Sequence, residues 1–331
     1  MQTVIHFDTR WFGEHGIGRF AQELFRRLPG TVPLRIAGGK LSPVDPLACT
    51  LAASRLRGGR YFSPGFNPPL YSPVPVVFTM CDLIHLRVAS ESTPVRRLYY
   101  RTVVRPGARR AERILTISEF SRRDVLEWTG VPEERVVNVG TGVSEVFTPD
   151  GTRHEPGFPY LLHVGRRASH KNVERLVAAF AHSRARATHQ LLFTGHADAE
   201  TAAHIRAHGV HGQVQFTGPA DDARLAAIYR GATALVFPSL YEGFGLPVVE
   251  AMASGTPVIT SDATATAEIA GGGAALLVDP LRVEAIAEAI DRLVDDGALR
   301  AELARRGIAH SAQYTWERSA ALARAALAPT A

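Results

Sequence analysis

Short apolar runs alternate with amphipathic helical patterns from one end of this chain to the other, and no other feature constrains the fold as much. TVIHFD (3–8), PVVFTM (75–80), RILTIS (113–118) and RVVNVG (135–140) read as buried strands, with Gly13 to Gly18 as a loop and Arg19 to Leu28 as a helix. PYLLHVG (159–165), HQLLFTG (189–195), VQFTG (214–218), ATALVFPS (232–239) and TPVITSD (256–262) continue the pattern, with helices in the gaps. Strands that are apolar throughout and separated by helices belong to parallel sheets covered on both faces. A chain of 331 residues holds two such cores. The expectation is therefore an α/β protein of two doubly wound, Rossmann-like domains. TPDGTRHEPGFP (148–159), rich in Pro, Gly and charge, is the expected linker, which puts the domains at 1–155 and 156–310. Paired domains of this kind take ligands in a cleft at the carboxyl ends of their strands, so the chemistry is sought in loops that follow strands.

Composition narrows the class. Apolar residues make up 46% and charged residues 21%, as in soluble globular enzymes. The two cysteines, Cys49 and Cys81, lack metal-type spacing and read as reduced thiols. No basic segment precedes an apolar run at the N-terminus, and no apolar run reaches spanning length, so the expected location is cytoplasmic. The net charge of +5 invites a nucleic-acid reading, but all basic residues except Lys40 and Lys171 are arginine and no nucleic-acid motif accompanies them. Nucleic acid is not an expected partner.

The strongest motif is SLYEGFGLPVVEAMASGTPVI (239–259). A strand ends at Pro238, a glycine-bearing loop follows, and Pro247 suits the first turn of a helix. The amides of Phe244, Gly245 and Leu246 then sit at a helix N-terminus, where anions such as phosphate bind. Glu242 and Glu250, eight residues apart, repel phosphate and suit sugar hydroxyls; ordinary acidic residues near a helix dipole are the plainer alternative.

The Glu-x7-Glu string, with HVGRRASHKNVERLVAAF (163–180), VQFTGPADDARLAAIYRGATALVFPS (214–239) and TWERSA (315–320), resembles the donor-binding half of the retaining glycosyltransferases of family 4, which have a GT-B fold. In the first half the resemblance rests on HGIGRFAQEL (15–24), CDLIHLRVASES (81–92) and ILTISEFSRRDV (114–125), and is to mannosyltransferase-type members. It implies that Arg166 and Lys171 grip the donor diphosphate, that Glu250 binds the ribose and that Glu242 lies near the donor sugar. It also implies that residues 217–222, with Gly218, lie beside the nucleobase. A final helix from about Ser311, within 311–331, is expected to cross back to the first domain. The implied activity is transfer of a hexose, mannose from GDP-mannose before UDP-sugars, to a saccharide or polyprenyl-diphosphate-linked saccharide in bacterial polysaccharide assembly. The leaving diphosphate assists deprotonation of the acceptor in this scheme. A GT-B epimerase, a phosphorylase and a non-catalytic sugar-nucleotide-binding subunit are the rivals.

The N-terminal loop GEHGIGRF (13–20) is spaced G-x-x-G-x-G, unlike the dinucleotide fingerprint; Gly16 and Gly18 would let the backbone approach a diphosphate or acceptor, or would serve turn geometry alone. Family members carry His-Asp-Leu where this chain has Cys81-Asp82-Leu83, with His85 four residues after the cysteine. A thiol does not reproduce imidazole hydrogen bonding to a hexose. Either the reaction tolerates Cys81, or Asp82, His85 or His15 takes part, or activity is lost. No Asp-x-Asp pair occurs, so no metal is expected, with Lys, Arg and helix amides supplying positive charge. Lastly, Arg97, Arg101, Arg105 and Arg109 recur every four residues in a stretch interrupted near Pro106. A solvated helix face and peripheral contact with an anionic inner membrane or a diphosphate-linked lipid are both open readings.

Overall fold

Runs of buried Val, Ile, Leu and Phe pair into two all-parallel sheets, which a computed structural model describes over residues 3–13, 16–40 and 44–329. The chain divides into two compact units, Met1–Gly142 with Tyr314–Ala331, and Val143–Gln313.

In the first unit the strands are β1 (Ile5–Asp8), β2 (Thr31–Leu34), β3 (Arg60–Ser63), β4 (Val76–Thr79), β5 (Arg113–Thr116) and β6 (Val136–Asn138). Their order is β2-β1-β3-β4-β5-β6. The chain steps from β1 to one side and then reverses, so the topological switch point lies between β1 and β3, where open α/β sheets leave a crevice at the strand ends. β2 and β3 go beyond the sequence reading, for identifiable reasons. Pro33 lies within β2, which is tolerated because β2 is an edge strand. β3 opens on Arg60, which is buried only because Glu112 accepts from its guanidinium at 2.8 and 3.1 Å.

The loop expected from Gly13 to Gly18 is shorter in the structure, because the helix Gly16–Arg27 has begun by Gly16. A Cβ on Gly18 would lie 2.3 Å from the Gly13 carbonyl oxygen, so this glycine serves close packing of the chain on itself. His15 falls outside the described residues. The helix Trp316–Ala326 packs on Gly16–Arg27 and adds Trp316, Ala320 and Ala323 to the first unit's core. Gly142 is glycine because the Trp316 backbone and indole fill the space of its side chain.

In the second unit the strands are β7 (Tyr160–His163), β8 (Gln190–Phe193), β9 (Val214–Phe216), β10 (Ala234–Phe237), β11 (Val258–Ser261) and β12 (Leu276–Val278). The order β12-β11-β10-β7-β8-β9 places the switch point between β7 and β10. The edge strand β12 also goes beyond the sequence reading, with Leu276 half-buried and Leu277 exposed. The segment 148–159 is bound along the helix Asp222–Gly231: Arg230 donates to the Thr148 and Thr152 carbonyls, and His154 N–H to the Ala227 carbonyl. Those bonds hold it within the second unit, and the passage between units falls at Gly142–Val143.

From Pro94 to Arg110 the chain stays helical through the expected interruption. A π-helical turn, Tyr100–Val104, sits between Pro94–Tyr99 and Arg105–Arg110, with the Arg105 N–H donating to the Tyr100 carbonyl directly before Pro106, which has no N–H to donate. No helix among the described residues is long and apolar enough to cross a membrane.

Candidate functional site

The loops after β7 and β10 meet at the second switch point. The Leu240 N–H donates to the His170 carbonyl at 2.7 Å. Asn172, in the left-handed region at φ 62°, is buried and donates from Nδ2 to the Pro238 and Pro280 carbonyls at 2.9 and 2.6 Å. This clasp brings Lys171 to Glu242 across 71 residues of sequence, with Nζ 2.6 Å from Oε1. Both side chains are mostly withdrawn from solvent, and the ammonium also lies 4.8 Å from the Phe237 ring centroid.

The backbone of Glu242 is fixed from the loop after β11. Its N–H donates to Thr264 Oγ1 at 3.3 Å, and Thr264 holds φ 58°, a strained value for a β-branched residue. Gly245, at φ 103°, opens the helix Leu246–Ala253, and no side chain caps that helix. Phe244 is buried beside it and Leu246 half-buried. Glu250, one turn in, is buried and takes a hydrogen bond at 3.0 Å on Oε2 from the hydroxyl of fully buried Tyr229.

A pocket of about 650 Å³ adjoins the end of β7, lined by Gly165, Arg166, Arg167, Thr194, Gly195 and Ala220 among others. Arg166 is exposed there, whereas Arg167 is locked. Its guanidinium donates to the Thr194 carbonyl at 2.7 Å and to Asp198 Oδ2 at 2.5 Å, and lies 5.3 Å from the Phe216 ring centroid. Burial works against ionised Asp198, but the Thr201 amide and Arg167 outweigh it and hold the carboxyl down at about 2. Gly218 stands behind this wall, its N–H and carbonyl both paired with Gly195.

Under the site lies His163, fully buried, stacked on Phe237 at an interplanar angle of 24°. Its Nδ1 is 3.0 Å from the Val236 carbonyl, so Nδ1 carries the proton and Nε2 the lone pair. Burial, with the charges of Lys171 and Arg167 nearby, pushes this imidazole down to about 4.

In the first unit the structure brings Cys81, Asp82 and His85 into one small pocket of about 130 Å³, at the end of β4. Phe66, His85 and Tyr100 form its aromatic wall: Phe66 stacks on Tyr100 at 5.7 Å, and His85 meets each edge-on at 5.9 Å. Asp82 Oδ1 accepts the Ile84 N–H at 3.0 Å at the start of the helix Ile84–Arg87. Burial, and then the adjacent Asp82 carboxylate, push the Cys81 thiol far above its usual range. Cys81 is therefore a neutral thiol at physiological pH. Among the described residues no group of three or more His, Cys, Asp or Glu side chains is placed to hold a metal ion.

Sequence reading overlooked His163, Arg167, Asn172, Tyr229 and Thr264. Asn172 had a local signal, since Asn tolerates the left-handed region directly before a helix. Tyr229 and Thr264 had none, because their partners are distant in sequence.

Two doubly wound parallel sheets in separate units, with a lysine and a glutamate gathered at the second switch point, define a GT-B protein. Residues 148–310 match the family described as glycosyl transferases group 1, and residues 43–142 match the glycosyl transferase 4-like domain. The chain is 30% identical to the D-inositol 3-phosphate glycosyltransferase of Acidothermus cellulolyticus, over 88% of this chain and 75% of that protein. It is also 30% identical to O-antigen chain mannosyltransferase B of Escherichia coli, over 62% of this chain and 58% of that protein's length. Sucrose-phosphate synthase from Thermosynechococcus elongatus shares the fold, with a TM-score of 0.76 at 20% identity, covering 97% of each chain. The chain belongs to the group 1 glycosyltransferases.

Proposed function

We propose that this protein is a retaining, metal-independent glycosyltransferase that moves a hexose, mannose from GDP-mannose, to a saccharide or polyprenyl-diphosphate-linked saccharide in bacterial polysaccharide assembly. The observation that carries the reading is the Lys171–Glu242 pair beside the helix start at Gly245. A departing nucleoside diphosphate gathers negative charge, and an ammonium and helix amides already in place stabilise it without reorganising. On donor binding Lys171 exchanges the Glu242 carboxylate for phosphate, with Arg166 as second cation, and Glu242 turns to the sugar hydroxyls. Tyr229 orients Glu250 toward the ribose, and the pocket beside Gly195 and Ala220 takes the base. Attack comes on the leaving-group face, and the diphosphate accepts the acceptor's proton.

The choice of mannose is supported by the similarity to an O-antigen mannosyltransferase. In the first unit, the aromatic wall of Phe66, His85 and Tyr100 suits the apolar face of a sugar ring, and Asp82 and His85 suit its hydroxyls. The protein works in the cytoplasm, touching the anionic inner membrane through the arginine row at 97–109. A second reading, a non-catalytic sugar-nucleotide binder, rests on Cys81 in place of histidine.

A thermal-shift panel with GDP, UDP, ADP and their sugar conjugates, followed by an assay of nucleoside diphosphate release with saccharide acceptors, tests both readings. GDP at 100 times its dissociation constant stabilises by about 2.7 kcal/mol, while the other nucleotides shift the Tm less. Binding without release in any donor and acceptor pairing leaves the second reading; no binding, with Glu242→Ala behaving as wild type, removes both.

A further inference from the structure

The pocket at the end of β7 has most of its nearby hydrogen-bonding groups already committed. The Thr194 and His196 carbonyls accept from the Arg167 guanidinium. Gly195 and Gly218 pair with each other through both N–H and carbonyl groups. In the chain leading to Ala220, the Thr217 and Pro219 carbonyls accept from the Arg224 guanidinium at 2.8 and 3.1 Å. The Gly165 N–H donates to Thr194 Oγ1 at 3.1 Å.

Two carboxylates line the same pocket, and they differ in what they hold. Asp198 Oδ1 accepts from the Thr201 N–H at 2.8 Å, while Oδ2 accepts from Arg167 and from the Thr201 hydroxyl. Glu200 lies two residues on, in the first turn of the helix Ala199–Ala207. It makes no hydrogen bond among the described residues; its side chain is 71% exposed, with the carboxylate 4.0 Å from His204 Nε2. Glu200 is thus the carboxylate of this wall left to meet a ligand.

An ionised carboxylate only accepts, and its two oxygens match two adjacent donors. Guanine offers such a pair on one edge, in its N1–H and its 2-amino group. Uracil sets a single N–H between two carbonyl oxygens, which a carboxylate repels. Adenine and cytosine each set an amino group beside a ring acceptor. We propose that Glu200 selects a guanine nucleotide by accepting from the N1–H and the 2-amino group of the base. This rests on the reading of the pocket as the base site of a sugar-nucleotide donor, and names the residue that tells one base from another there.

The test is isothermal titration calorimetry of the full chain with GDP, IDP, ADP and UDP, IDP being GDP without the 2-amino group. Wild type should bind GDP about tenfold more tightly than IDP, the lower end for a bidentate pair because Glu200 is solvated. Glu200→Gln turns one acceptor into a donor facing a donor, and Glu200→Ala removes both acceptors, so each should bring the two nucleotides to within about twofold. The ratio is the readout because any effect of the lost charge on the diphosphate is common to both ligands. UDP should bind no more weakly to either variant than to wild type, and both variants should keep the wild-type Tm. Equal binding of GDP and IDP by wild type overturns the proposal, as does a ratio that survives both substitutions, or tightest binding of ADP or UDP. In those three cases a nucleoside diphosphate still binds, so the donor reading stands without Glu200. If none of the four binds, the donor reading falls and the role of Glu200 falls with it.

Discussion

The two units both gather candidate-site side chains at the ends of parallel strands, but from opposite materials. In the second, the loops after β7 and β10 carry a lysine and a glutamate in contact, a strained threonine backbone and an uncapped helix start. In the first, the loop after β4 carries a neutral thiol and one carboxylate inside an aromatic wall. Similar topology therefore supplies positions and no chemistry of its own. Charge held ready in a partly buried site suits a phosphorylated ligand, and stacked rings suit a neutral one.

Lys171→Ala is the sharpest attempt to break that contrast. It removes the cation and leaves Glu242 without its ion-pair partner, so nucleoside diphosphate release should fall about 100- to 1,000-fold, measured as kcat at saturating donor. A loss below about tenfold would mean that the charge at the second switch point is structural.

A smaller effect comes from His163. Its folded value, about 4, lies below the unfolded value of 6.5, so the unfolded chain binds the extra proton between those two. Stability is then full above pH 6.5 and is lost as pH falls toward 4, by about 3 kcal/mol in total. His163→Asn can keep a donor for the Val236 carbonyl and does not titrate, so its unfolding free energy should fall less steeply between pH 6.5 and 5 than that of the wild type. Parallel curves from urea titrations would contradict the assignment.

The smallest effect belongs to the first unit. Because Cys81 stays protonated, Cys81→Ala should change kcat by less than about threefold and leave the shape of the pH profile from 6 to 9 unaltered. A basic limb that disappears in the variant would show thiolate chemistry, and the two strand-end clusters would then be more alike than their composition implies.

Legibility in the sequence followed the range of the interactions. Most strands were readable as short apolar runs, the three-residue edge strands β6 and β9 included, whereas β2 was hidden by a proline and β3 by an arginine buried through its ion pair, and β12 was missed. Gly245 was readable as part of a strand-to-helix turn, and its φ of 103° gives the physical reason. Gly16 and Gly18, expected in a loop, belong to the helix Gly16–Arg27, and the sequence does not reveal that the Gly13 backbone fills the space a side chain on Gly18 would need. The membership of Cys81, Asp82 and His85 in one site followed from their closeness in the chain, but the rings of Phe66 and Tyr100 that enclose them come from other loops.

Periodicity alone determined that this chain builds parallel sheets with helices between the strands, because the burial demanded by each element is written into its own residues. The glycine-bearing loop, the Glu-x7-Glu spacing and one of only two lysines likewise marked where charge would collect. Strand order is set by packing between distant segments, and only the folded structure decided it. That order puts β7 against β10, and so Lys171 against Glu242, while packing between separate helices sets the Tyr229 hydroxyl on Glu250.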